Sequence, residues 1–89
     1  MSTRSPAWSP LLDASEPTPG VWELHHAMEP HGPYARIALR RVQGGQLRYR
    51  VEVHGELIGW ATCLSVAAEH AWSAWVDSGQ RRRWEGGYG

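Results

Sequence analysis

Apolar and polar residues alternate with a period of two through the middle of this chain and with a helical period after it. Trp22, Leu24, His26 and Met28 alternate with Glu23, His25 and Ala27, the spacing of a short strand, although residues 23–28 also fit a helical turn. Pro30-His31-Gly32-Pro33 is a turn by composition. Tyr34–Val42 and Leu47–Val53 read as strands joined by Gln43-Gly44-Gly45-Gln46, and Glu56–Thr62 follows across His54-Gly55. From Cys63 to Ser78 the period changes. Leu64, Ala67, Ala68, Ala71, Trp72, Trp75 and Val76 share one helical stripe, with Ser65, Glu69, Ser73 and Asp77 opposite. Thr62 or Ser65 can cap its start, and Gly79 is placed to end it. The pattern predicts an α+β fold: an antiparallel meander of three strands, or four, with one C-terminal helix across one face.

Parity predicts the register. A two-residue His54-Gly55 turn pairs Val53 with Glu56, Val51 with Ile58 and Tyr49 with Trp60, turning Ile58 and Trp60 toward the core. A two-residue Gly44-Gly45 turn in the first hairpin would bury Arg36 and Arg40, because a slip of one residue reverses every side chain. A three-residue turn, 43–45, instead pairs Leu39 with Tyr49, Ile37 with Val51 and Ala35 with Val53, and needs one glycine in the left-handed region.

Outside residues 21–79 neither period holds. Residues 1–20 carry Pro6, Pro10, Pro17 and Pro19 among serines and threonines and read as a flexible or loosely docked arm, with Trp8, Leu11 and Leu12 as the apolar handles for packing back on the domain or on a partner. Residues 80–89 read as a mobile basic-aromatic tail.

Composition narrows the setting. The 89 residues allow one small domain. Nine arginines balance nine acids, and lysine, asparagine and phenylalanine are missing, which points to a GC-rich genome, that of a bacterium or its phage or mobile element. One cysteine makes no intramolecular disulfide. No apolar run nears the roughly 20 residues of a membrane span, and the start has no signal-peptide core, so a cytoplasmic protein without membrane contact is expected. The charges are segregated: residues 1–33 set Arg4 against Asp13, Glu16, Glu23 and Glu29, whereas 36–50 hold five arginines and no acid.

The predicted register gathers Arg36, Arg40, Arg48 and Arg50 on the face away from the helix, with Arg40 directly opposite Arg48. Like charges so placed repel in a free sheet, and an anion such as phosphate between two guanidinium groups would relieve them. Three antiparallel strands, a helix on one face and arginines on the other resemble the AP2-type DNA-binding domain over Tyr34–Gly79, and are similar to the arm-binding domains of tyrosine recombinases. Ala67-Ala68-Glu69-His70-Ala71-Trp72 resembles the alanine-rich helix of the former, and Gly59-Trp60-Ala61-Thr62 is similar to the strand entering it. The resemblance implies DNA contact by Arg36, Arg40, Arg48 and Arg50. The chain departs from that family in lacking a Tyr-Arg-Gly opening and in the predicted turn of Trp60 toward the core. Arg81, Arg82 and Arg83, beside Trp84 and Tyr88, would extend a phosphate-binding surface.

Six tryptophans support a different reading. Trp8, Trp22 and Trp84 have no assigned core position, and exposed aromatics mark interfaces with a host protein or a second copy. The remaining chemistry is sparse. His25, His26 and His31 lack metal-site spacing, and no cofactor motif is present. Cys63 reads as a small core residue, and no nucleophile–base arrangement points to an enzyme.

Overall fold

The computed structural model describes residues 9–87, and their side chains through Gly79. It contains one five-stranded antiparallel sheet in simple meander order. The strands are β1 (Ala14–Thr18), β2 (Val21–Leu24), β3 (Ala35–Arg41), β4 (Leu47–Val53) and β5 (Glu56–Ala61). One helix, α1 (Leu64–Gly87), packs on β3, β4 and β5 and on a 3₁₀ turn at Pro10–Asp13.

Residues 10–18 are a turn and the edge strand β1, so from Pro10 onward the arm is docked rather than flexible, and it joins the sheet, which its composition did not indicate. Ser9 Oγ accepts the Leu11 N–H at 3.2 Å, Pro10 is buried, and Leu11 packs against the core. Pro17 carries no N–H to offer a neighbour and is tolerated because β1 lies at the sheet edge. The chain then reverses through Pro19-Gly20, where Gly20 adopts φ 85° and donates its N–H to Glu16 Oε2 at 3.2 Å. β2 is shorter than the alternation implied. It ends at Leu24, and His26 leaves the sheet to pack on Trp72 and Trp75, with ring centroids 5.5 and 5.0 Å away.

The first hairpin has the expected register: Leu39 pairs with Tyr49, Ile37 with Val51 and Ala35 with Val53 around Gln43–Gly45. Both glycines take positive φ, 85° at Gly44 and 80° at Gly45, where one was expected. The second hairpin departs from expectation halfway along. His54 and Gly55 make the two-residue turn, and Val53 pairs with Glu56 and Glu52 with Leu57. A bulge at Ile58 then shifts the pairing, so that Val51 meets Gly59, Arg50 meets Trp60 and Tyr49 meets Ala61. One extra residue turns Trp60 off the core face and puts Ala61 there.

The helix also runs past its expected end. Gly79 does not adopt a left-handed conformation, and good helix formers follow it, so the backbone stays helical to Gly87. Residues 80–87 therefore belong to α1 rather than to a separate tail. Ala67, Ala68 and Ala71 are fully buried, so the helix backbone approaches Ile37, Val51 and Ala61 closely. Cys63 stands exposed at the N-terminus of α1 and not in the core; its Sγ meets Ser65 Oγ at 3.6 Å, a contact that lowers the thiol pKa.

Aromatic packing closes one end of the core. Tyr34 stacks on Trp75 at 4.5 Å between centroids, and Trp72 lies 5.3 Å from Trp75. Glu29 accepts the Trp75 indole N–H at 3.3 Å and also contacts His54 Nε2, tying the 25–34 connection to α1 and to the second turn. The Tyr34 hydroxyl is buried without a hydrogen-bond partner among the described residues. Burial, and secondarily the Asp13 carboxylate, push its pKa from 10.0 up to about 12. Above pH 10 the unfolded chain therefore loses a proton that the folded chain keeps until about 12. Stability should fall across that window by up to about 1.4 kcal/mol per pH unit. Tyr34→Phe should flatten this alkaline loss in denaturant titrations. At neutral pH it should be neutral, or stabilising by about 1 kcal/mol, because the buried hydroxyl gains nothing from the fold. A clear loss of stability at pH 7 would mean that the hydroxyl has a partner.

Candidate nucleic-acid interface

Strand pairing lays out the uncovered face of the sheet in rows. One row runs Glu23, Arg36, Glu52, Leu57; the next runs Val21, Ala38, Arg50, Trp60; the third places Arg40 opposite Arg48. The four arginines expected on this face are all on it, but their surroundings differ.

Arg36 Nη2 lies 2.8 Å from Glu23 Oε2, and Arg50 pairs with Glu52 on its own strand. Two of the four charges are thus compensated within the face. Arg40 makes no ion pair among the described residues. Arg48 donates to the Leu47 carbonyl at 2.8 Å and to Gln46 Oε1 at 2.7 Å, both uncharged acceptors. The face is neutral at the Glu23 end and positive at the first-hairpin end. This gradient also assigns places to acids of the N-terminal third. Glu23 offsets Arg36, Glu16 binds the Gly20 N–H, and Glu29 anchors Trp75.

Beside Arg48 the sheet opens into a hollow of about 520 Å³, lined by Val42, Arg48, Trp60, Thr62, Val66 and His70. Trp60 is 44% exposed there, the only described tryptophan with so open an indole. A regular hairpin would place it in the core, opposite Tyr49. Gly59, a glycine inside a strand, was the available sign of a bulge.

The other candidate residues are placed unevenly. Trp22 is half-buried and packs on Tyr49 at 5.7 Å between centroids, so it belongs to the core margin and not to an open interface. Its neighbour Leu24 draws β2 onto the helix-covered face, and Trp22, two residues away, follows. Trp8 lies outside the described residues, as does the side chain of Trp84. Arg81, Arg82 and Arg83 fall in the last turns of α1, and their side chains also lie outside the described residues. His25 Nε2 lies 3.1 Å from Ser15 Oγ while His26 joins the aromatic cluster, so the adjacent imidazoles diverge. Among the described residues no three His, Cys, Asp or Glu side chains converge in a way that would hold a metal ion. No helix among them is long and apolar enough to cross a membrane.

Comparison with protein-family models, curated proteins and solved structures finds no match to this chain.

The ion pairs predict opposite effects of two similar substitutions. Arg40→Ala should leave thermal stability unchanged or raise it, because it removes one member of a like-charge cross-strand pair. Arg36→Ala should lower it slightly, within the roughly 0–1 kcal/mol of an exposed ion pair. A larger loss from Arg40→Ala than from Arg36→Ala would show that Arg40 has a structural partner.

Proposed function

We propose that this protein is a small, non-enzymatic nucleic-acid-binding accessory protein that grips phosphates with Arg40 and Arg48. One observation carries the reading: two directly opposed arginines, without acidic partners among the described residues, lie on the sheet face that the helix leaves open. Opposed residues in an antiparallel pair have Cβ atoms roughly 4.5–5.5 Å apart. Long side chains carried on positions so close can bring both guanidinium groups to one phosphate, each donating through its planar fork. Binding energy of this kind comes largely from counterion release and carries little sequence information. Arg36 and Arg50, already paired with Glu23 and Glu52, contribute as a positioned rim, and Arg81, Arg82 and Arg83 would add charge from the far end of α1. Composition favours a cytoplasmic protein of a GC-rich bacterium or of its phage or mobile elements.

A second reading has its own observation. β5 is an edge strand, and Leu57, Ile58, Trp60 and Val66 form an exposed apolar margin along it. β1, at the opposite edge, carries Glu16 and Pro17, which discourage pairing; β5 has no charge or proline after Glu56. A second copy, or another protein, could add a strand there.

Salt separates the two. In anisotropy titrations with labelled DNA, affinity should fall steeply between low and moderate salt. Arg40→Ala and Arg48→Ala should each weaken binding across unrelated sequences and lower the salt slope by about one. Binding that neither substitution weakens, or self-association that salt does not affect in a protein that binds no DNA, would favour the edge-strand interface.

A further inference from the structure

We infer that the preferred ligand is single-stranded nucleic acid, with Trp60 as the stacking platform for an unpaired base; the inference rests on the nucleic-acid reading above. The bulge at Ile58 is the structural cause. In a regular hairpin Trp60 would face the helix opposite Tyr49, as a large apolar side chain ordinarily would. The extra residue instead pairs Trp60 with Arg50 and stands the indole on the arginine face. Its partly open ring forms a wall of the hollow that Arg48 also lines, with Val66 and His70 of α1 on the far side. A volume of about 520 Å³ lies within the roughly 300–1,000 Å³ typical of sites for small-molecule-sized groups.

The chemistry of these walls is selective. Bases in a duplex are already stacked on both sides, so an indole standing beside a sheet has no free base face to cover. An unpaired base offers its whole face, and aromatic stacking on it tolerates any sequence. Thr62 at the rim supplies a hydroxyl, and His70 supplies a ring nitrogen, to meet the polar edge of a base. Arg48 belongs both to the hollow and to the uncompensated pair with Arg40, so a phosphate held by the arginines places the attached nucleotide beside Trp60. Stacking platforms next to a positive track are how proteins hold single strands without reading sequence.

The test compares a labelled oligothymidylate with a DNA duplex of the same length, for the intact protein and for Trp60→Leu, Trp60→Phe and Arg40→Ala. Trp60 is partly exposed, so these substitutions should fold, and circular dichroism melts would verify it. The intact protein should prefer the single strand. Trp60→Leu should weaken single-strand binding roughly 10-fold or more and leave duplex binding nearly unchanged. Trp60→Phe should recover part of the loss, while Arg40→Ala should weaken both ligands. Duplex preference with no effect of Trp60→Leu would overturn the stacking role and leave the phosphate reading in place. Failure of the intact protein to bind either ligand at low salt would overturn both. A dimer that Trp60→Leu dissociates without changing single-strand affinity would assign the indole to a protein interface and likewise overturn the inference.

Discussion

The pairing of Leu39 with Tyr49 across the Gln43–Gly45 turn decides what the helix meets and what is left to solvent. With that pairing, Ile37 and Val51 fall under α1 and become fully buried, while Arg36, Arg40, Arg48 and Arg50 fall on the other face. A turn shorter by one residue would invert the assignment and bury guanidinium groups among alanines. The cost of burying unpaired charge is several kcal/mol each, so the register is strongly enforced. Gly44 and Gly45, both at positive φ, are the local means by which the chain makes this turn.

The helix side shows how so small a domain closes its core. α1 contributes Ala67, Ala68 and Ala71 where it lies nearest the sheet, and the large side chains gather at one end instead. There Tyr34, Trp72, Trp75 and His26 pack together, joined to the sheet turn by Glu29 and His54. This cluster fixes the irregular connection between β2 and β3, which has few strand hydrogen bonds of its own. The arginine face consequently sits on a support whose elements are tied to one another and not merely adjacent.

The parts legible in the sequence were those where one face is buried and the other is not. β3 and β4 alternate strongly, so their register and the arginine face followed from parity alone. β1 was not legible, because Ala14-Ser15-Glu16-Pro17-Thr18 has no apolar alternation: an edge strand buries little and pairs through its backbone. The bulge in β5 escaped for a related reason. Ile58 and Trp60 look like core residues by type, and only Gly59 between them marks the irregularity. Ion pairing was legible only in part: parity sets Glu52 on the arginine face, opposite Arg36 and two residues from Arg50 on the same strand. Arg36 instead finds Glu23 through the pairing of β2 with β3, a contact that nothing local to either residue reveals.

The functional face combines these constraints: the first turn exposes the arginines, acids from β2 and β4 compensate two of them, and the bulge adds an indole beside the uncompensated pair. Side-chain NMR during titration with a short single-stranded oligonucleotide tests that convergence most directly. The Arg40 and Arg48 Nε–H signals and the Trp60 indole N–H should shift together, saturating with one affinity, while the Trp72 and Trp75 indole signals stay in place. Shifts confined to α1 or the aromatic cluster, with the Arg40, Arg48 and Trp60 signals unmoved, would contradict the assignment of this face as the binding surface.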